Sequence, residues 1–403
     1  MSDWRVNKEP DGSERIPRIR DLRRASDERS EERARRDLNP RHPGPEPDTL
    51  STELRALRHG LRRYDYNRCE PDHGNYLYAS PNRGMHQLVD GEWIHEYEAT
   101  DEDGSFKRQP TSFRDRVDPG DTEGGRYHLY VSYACPWAHR TLITRSLLGL
   151  EDVISVDVVD PFRAEDGWQF TPEKDGCTAD SINGFDHLRE AYVEADPNYT
   201  GRVTVPVLWD KKEGTIVNNE SREVMRNLAT VFADLGNSVD LSPEELRDDI
   251  DETLDRIYEP INNGVYRTGF ADSQSAYDEA VAELFDALDH WDSVLEDRRY
   301  LVGNRLTEAD IAMYTTLVRF DEVYHTHFMC NHKLIREYET LWPYLRDLYT
   351  TAGFGETTRM DHIKEHYYTT HPDVSPKRIV PVGPTPDFDA PHERDELPGE
   401  SPV

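Results

Sequence analysis

The sequence predicts an α/β unit followed by an all-α unit, and three observations carry that expectation. An apolar strand beginning at Tyr127 runs into a single cysteine, Cys135, and then straight into a helix that opens with Pro136, whose missing N–H has no intrahelical partner to lose at that position. A second strand and a hairpin pattern follow between residues 201 and 217. Beyond residue 240 the local signals are helix starts, at Ser242-Pro-Glu-Glu and at Thr307-Glu-Ala-Asp310.

After Cys135, apolar residues recur at Trp137, Leu142, Leu147 and Leu148 with roughly helical period, until Gly149 offers a left-handed stop. Residues 153–159 then read as a second, mostly buried strand. The unit is β-α-β with Cys135 at its first crossover, where backbone N–H groups and the helix dipole favour a thiolate. An isolated cysteine is often just a small buried hydrophobe; the Cys-Pro-Trp-Ala-His-Arg context points instead to a site. A long insertion over 160–200 precedes Gly201-Arg202-Val-Thr-Val205-Pro206-Val-Leu-Trp209. Proline cannot serve a central ladder, so a cis peptide in a turn is expected at Pro206, leaving the backbone before it free to pair with a peptide-like ligand. Residues 210–214 turn the hairpin, 215–217 return, and Asn218-Asn-Glu220-Ser221 opens another helix. A β-α-β unit followed by β-β-α is the thioredoxin-like arrangement.

In the second half, Ser242 is expected to cap a helix with Pro243 at its first position. Thr307 with Asp310 forms a capping box, stapled by Leu306 and Ile311. The apolar residues of the following helix cover most of its circumference, which predicts burial. Asp310 is therefore a folding device rather than a site.

At 403 residues the chain suffices for two domains. Its net charge of −32 is uneven: residues 1–68 carry +3 and the remainder −35. An acidic folded part repels phosphates, which argues against nucleic-acid binding. Only eight of the 48 basic residues are lysines, and an acidic, lysine-poor surface is expected of a salt-adapted protein, since salt screens self-repulsion. No apolar run approaches the roughly 20 residues that span a bilayer, and the N-terminus is charged throughout, so a soluble cytoplasmic protein without membrane contact is expected. The four cysteines, at 69, 135, 177 and 330, are too scattered for a disulfide framework or a zinc site. There is no CxxC, which rules out a dithiol mechanism using a neighbouring cysteine. No metal is expected, because His325 with His327 alone is a weak pair.

The ordered set Cys135-Pro-Trp-Ala-His-Arg140, Gly167-Trp168-Gln-Phe170, Arg202-Val-Thr-Val205-Pro206 and Val217-Asn-Asn-Glu220-Ser221 resembles the glutathionyl-hydroquinone reductases, the Xi class of glutathione transferases. Further matches stand at Gly104-Ser-Phe106-Lys-Arg108 with Phe113-Arg114, at Asn263-Gly-Val-Tyr266-Arg-Thr-Gly-Phe270, at Arg319-Phe-Asp-Glu-Val-Tyr324 and at Asp361-His-Ile-Lys-Glu-His-Tyr367-Tyr368. The resemblance covers about residues 90–385. It implies a thioredoxin-like N-terminal domain followed by a helical glutathione-transferase C-terminal domain. The expected division is 1–68 as a charged, disordered extension, 69–125 as an irregular extension packed on the core, 126–236 as the thioredoxin-like domain, 237–362 as the helical domain, and 363–403 as a tail contributing to the substrate pocket.

The resemblance also implies a chemistry. Cys135 attacks the sulfur of a glutathionyl-hydroquinone and keeps the glutathionyl group as a mixed disulfide, which a second thiol molecule resolves. Tyr266 and Tyr367 are the first candidates for ring binding and proton donation, with Tyr324 and then Tyr368 behind them. Trp168, Arg202, Val205, Glu220 and Ser221 are the candidates for the thiol cosubstrate, glutathione or the shorter γ-glutamylcysteine. Each has a plainer reading: Asn-Glu-Ser alone is a helix cap, Val205 an edge strand, and Trp168 and Arg202 packing or surface residues. His139 and Arg140 serve equally well as helix-packing residues or as thiolate stabilisers. A general omega-like thioltransferase or dehydroascorbate reductase would use the same nucleophile, and a non-catalytic conjugate-binding protein would need no reactive thiol. A homodimer is expected by analogy with the family.

Overall fold

A computed structural model describes residues 86–95 and 100–399, which all belong to one compact unit, Tyr78–Val403. The expected charged extension 1–68, and Cys69, lie outside the described residues. The first elements are a short hairpin, β1 (Gln87–Val89) and β2 (Glu92–Ile94). The main sheet follows with β3 (Tyr127–Val131), helix α1 (Pro136–Leu147), β4 (Ser155–Val158), helix α2 (Leu188–Ala195), then β5 (Val207–Asp210), β6 (Thr215–Asn218) and helix α3 (Ser221–Thr230).

The sheet order is β4-β3-β5-β6, with β3 parallel to β4 and antiparallel to β5. This is the thioredoxin-like order that β-α-β followed by a hairpin produces. Every residue of β3 and β5 is buried, as expected of strands covered on both faces. The Val205–Pro206 bond is cis, and β5 starts only at Val207, later than the predicted strand from Gly201. Gly201 instead exchanges backbone hydrogen bonds with Leu88 of β1. Residues 113–115 run along β6: the Asn219 amide donates to the Phe113 carbonyl and the Asp115 amide to Val217. Phe106 and Val117 join the core from the same stretch.

The helical half comprises α4 (Arg247–Ile257), a π-helical turn (Tyr258–Asn262), α5 (Gly264–Gly269), α6 (Gln274–Val294), α7 (Glu308–Arg319), a second π-helical turn (Phe320–Tyr324), α8 (Leu341–Thr350) and α9 (Met360–Thr370). Ser242 does not cap a helix. Pro243 is extended and a 3-10 turn precedes α4, so the helix starts at Arg247 and the Ser242 hydroxyl has no partner among the described residues. The Thr307 box forms as predicted: Asp310 Oδ2 accepts from the Thr307 amide at 2.9 Å and from its hydroxyl at 3.2 Å. Asp310 Oδ1 also accepts from the Leu301 amide and the Tyr344 hydroxyl. All of α7 is buried. Helix α1 packs against both α3 and α7, so the first turn after Cys135 sits at the junction of the two halves. Among the described residues no helix is long and apolar enough to cross a membrane.

Candidate functional site

A cavity of about 470 Å³ opens at that junction, and Cys135 stands in its wall at the N-cap of α1. Trp168, Arg202 and Val205 come to it from the sheet side, and Tyr266 and Tyr367 from the helical side. The Cys135 thiol donates to the Val205 carbonyl at 3.5 Å, placing the nucleophile candidate directly beside the backbone before the cis bond. Tyr266 and Tyr367 share a hydroxyl–hydroxyl hydrogen bond of 2.5 Å, and Tyr367 makes another to Tyr324 at 3.1 Å. Three phenols from α5, α9 and a π-helical turn thus form one chain. Tyr324 stands behind Tyr367, away from the cavity wall. Tyr368, on the same helix, turns from the cavity and donates to the Glu322 carbonyl.

Local folding explains this convergence. A π-helical turn adds a residue to the helical repeat, and the one over Phe320–Tyr324 carries both Tyr324 and Glu322. Lys364 of α9 pairs with buried Glu322 at 2.8 Å, which holds Tyr367 against Tyr324. The insertion after β4 braces α9 from the other side. The Pro161 carbonyl meets His366 Nδ1 at 2.6 Å, and Lys174 bridges Asp160 and Glu365. Gly269 is required here, since a Cβ would stand 2.2 Å from the Phe328 ring.

Glu220 and Ser221 occupy the start of α3. The Glu220 carboxylate accepts from the Arg222 amide at 3.3 Å and from the Ser221 hydroxyl at 3.4 Å, the cap that the plainer reading foresees. Glu220 faces a neighbouring cavity of about 560 Å³, together with Arg140, Tyr258 and Asn262. His139 and Arg140 both reach the helical half: His139 meets Thr357 at 3.0 Å and Arg319 at 3.1 Å, and Arg140 donates to Asn262 at 2.8 Å.

Electrostatics at Cys135 oppose one another. Burial pushes the thiol pKa up, while the Ala138 and Trp137 amides and the Arg319 and Arg108 guanidinium groups pull it down; burial wins. The cap position alone does not secure a thiolate, because the surrounding walls remove water from it. Burial likewise raises the phenols, Tyr266 upward and Tyr324 and Tyr367 far upward, so all three carry their protons at neutral pH. His139 is held neutral by burial beside Arg319. Cys177 and Cys330 form no disulfide, donate to backbone carbonyls and have their thiol pKa raised by burial. Among the described residues no cluster of three or more His, Cys, Asp or Glu side chains is placed to hold a metal ion.

Comparison with known proteins shows the family. The family described as Glutathione S-transferase, N-terminal domain, matches residues 134–231, and Glutathione S-transferase, C-terminal domain, matches 274–350. Glutathionyl-hydroquinone reductase YqjG of Escherichia coli is 49% identical over 77% of this chain and 99% of its own length. Its counterpart PcpF of Sphingobium chlorophenolicum is 49% identical over 74% and 96%. Among solved structures, the Xi class GST from Natrialba magadii is 64% identical and covers 79% of this chain and 99% of its own, with a TM-score of 0.75. The chain belongs to the Xi class of glutathione transferases. The glutathione-bound structure of YqjG, a glutathione transferase homolog from E. coli, is 49% identical and covers 77% of this chain and 99% of its own, with a TM-score of 0.69.

Within this Xi-class fold, several cavity residues escaped the sequence reading. Arg108 donates to Asn263 at 2.9 Å and lies over the rings of Trp137 and Tyr266; it ends a motif that could have flagged it. Arg319, fully buried and outside the cavity wall, opens another such motif. His366 stacks on Trp168 with ring centroids 5.1 Å apart, and stands next to Tyr367 in sequence. Arg163 lies in the insertion, where no periodicity or motif marks it.

Proposed function

We propose that this protein reduces S-glutathionyl-hydroquinones to hydroquinones. The supporting observation is one cavity that holds a lone thiol on one wall and a chain of protonated phenols on the other. In this reading the Cys135 thiolate attacks the glutathionyl sulfur and forms an S–S bond. The carbon–sulfur bond breaks, and its electron pair stays with the ring carbon, which takes a proton by way of Tyr266 and Tyr367. A second glutathione thiolate attacks the mixed disulfide, releasing oxidised glutathione and restoring Cys135. The sum is one conjugate plus one thiol giving one hydroquinone plus one disulfide. Trp168, Arg202 and the Val205 backbone hold the glutathione part, and Glu220 with Ser221 its γ-glutamyl end. Residues 126–236 thus bind the thiol, while 237–362 and the tail 363–403 supply the ring pocket.

The deciding experiment is turnover of a synthetic glutathionyl-hydroquinone by the wild type and by Cys135→Ser. Hydroquinone release that is lost in the variant supports the mechanism; wild-type rates in the variant sink it. Relatives named omega-like keep a general thioltransferase as the competing reading, in which a simple mixed disulfide would be the better substrate. Glutathione is the cosubstrate of first choice, and comparing it with γ-glutamylcysteine as reductant tests whether the glycyl contacts matter. The reading includes a homodimer, which a monomeric mass in high salt would remove.

A further inference from the structure

The guanidinium of Arg163 lies in the cavity wall, over the Trp168 ring at 5.6 Å. Among the described residues it makes no hydrogen bond or ion pair with the protein; only its backbone amide is engaged, by the Thr370 hydroxyl. In a chain with 80 carboxylates against 48 basic residues, an arginine with no carboxylate partner stands out. Asp272 and Asp373 line the same cavity, yet neither pairs with Arg163. Two other guanidinium groups act near the phenols: Arg108 is held through Nε by Asn263 and lies over the rings of Phe106, Trp137 and Tyr266, with one terminal nitrogen open, and Arg319 is held by backbone carbonyls and His139.

Arg163 is tied to the ring side through α9: its backbone amide donates to the Thr370 hydroxyl, one turn beyond Tyr367, and the Trp168 ring beneath it stacks on His366 of the same helix. Its charge is also felt by His86, His366 and His371. His327, His366 and His371 line this end of the cavity and are neutral, because burial lowers each of them. They offer hydrogen bonds without charge, and Arg163 is one of three arginines in the cavity wall, with Arg108 and Arg202.

We infer that Arg163 forms an anion subsite at the ring end of the cavity, selecting hydroquinone conjugates that carry a carboxylate on the ring. The inference rests on the reductase reading and names its substrate class. A planar guanidinium with open donors matches a carboxylate in two-point geometry. Such a group is needed here because a protein of net charge −32 otherwise repels an anionic substrate.

Two measurements at one fixed salt concentration test this. In the first, free 2,5-dihydroxybenzoate and free hydroquinone are titrated calorimetrically into the wild type, Arg163→Gln and Arg163→Lys. The wild type is expected to bind the acid about tenfold tighter than hydroquinone, Arg163→Gln to lose that preference, and Arg163→Lys to keep part of it. No preference in the wild type overturns the inference. In the second, glutathionyl conjugates of the same two compounds are turned over. Arg163→Gln is expected to raise KM about tenfold for the carboxylated conjugate and to leave the neutral one within about twofold. An equal rise for both would place Arg163 on the glutathione part, and a fall in kcat for both would place it on the reacting oxygen; either refutes a ring-carboxylate subsite. Absence of turnover of both conjugates by the wild type would fail the reductase reading, while the titration would still decide Arg163.

Discussion

Arg319 donates through Nε to the carbonyl of Ala134 at 3.1 Å, tying the end of α7 to the peptide that precedes Cys135. The same guanidinium, fully buried, donates to the Tyr133 and Thr315 carbonyls and to His139 Nδ1. A cation held, among the described residues, by carbonyls and an imidazole keeps its field for the groups around it. Arg319 lowers the pKa of Cys135, Tyr324 and Tyr367 against the upward push of burial. Replacing it with Met is expected to raise the thiol pKa further and to leave buried carbonyls unsatisfied, at a cost on the order of 3 kcal/mol. Arg319→Lys keeps the charge and should recover part of the thiol shift. The rate of alkylation by iodoacetamide against pH reads the thiol directly, and an unchanged profile in Arg319→Met would refute the electrostatic role.

Cys135 itself titrates upward of an ordinary cysteine. Only the thiolate alkylates, so the rate in the ligand-free protein should keep rising with pH beyond the ordinary midpoint of about 8.5. A plateau already reached at pH 7 would mean that helix amides and arginines outweigh burial.

Tyr266→Phe removes one end of the phenol chain and little volume. Hydroquinone release is expected to fall by about 10²- to 10⁴-fold, the usual worth of a positioned proton donor. Exchange with a simple glutathione mixed disulfide needs no carbon protonation and should keep its rate. Equal losses in both assays would assign Tyr266 to binding or folding instead.

Asp310 is buried at the α7 box, and its pKa is raised from 3.8 to about 6. The native state therefore binds more protons than the unfolded state between about pH 4 and pH 6, so this residue's contribution to stability falls as pH rises through that window. At 1.36 kcal/mol per pKa unit the loss is about 3 kcal/mol. Asp310→Asn cannot titrate, so its stability relative to wild type should improve by about 2 kcal/mol from pH 4 to pH 6, the part of that loss that falls between those two values. Denaturant midpoints of both proteins at the two pH values would show it, and a constant difference would contradict the shift.

With a net charge of −32, raising salt from 0.1 to 1 M shortens the screening length from about 10 Å to about 3 Å and should raise the thermal midpoint. A midpoint independent of added sodium chloride would show that the fold does not depend on that screening.

Much of this architecture is legible locally. Pro136 and Gly149 mark the limits of α1, Pro206 marks the cis bond, and Thr307 with Asp310 marks the start of α7, because each acts through its own backbone or the next turn. Ser242 misleads for the same reason: its Ser-Pro-Glu-Glu pattern suits a cap, but packing puts a 3-10 turn there and delays the helix to Arg247. The π-helical turns at Tyr258 and Phe320 leave no such mark, since an added residue in a helix answers to packing rather than to propensity.

From sequence alone come the lone cysteine at a helix start, the absence of a neighbouring thiol, the two-part fold and the family motifs that single out a few of 21 tyrosines. Tertiary structure alone decides that Tyr266, Tyr324 and Tyr367 are hydrogen-bonded to one another, that Arg319 reaches back to the peptide before Cys135, that Lys364 locks α9 to Glu322 and that the Arg163 guanidinium stands in the cavity without an ion-pair partner among the described residues. Those residues are separated by tens to hundreds of positions, and their contacts and burial depend on how two independently patterned halves close on each other. The same closure removes water from Cys135 and raises its pKa, a result that no cap signal in the chain could foretell.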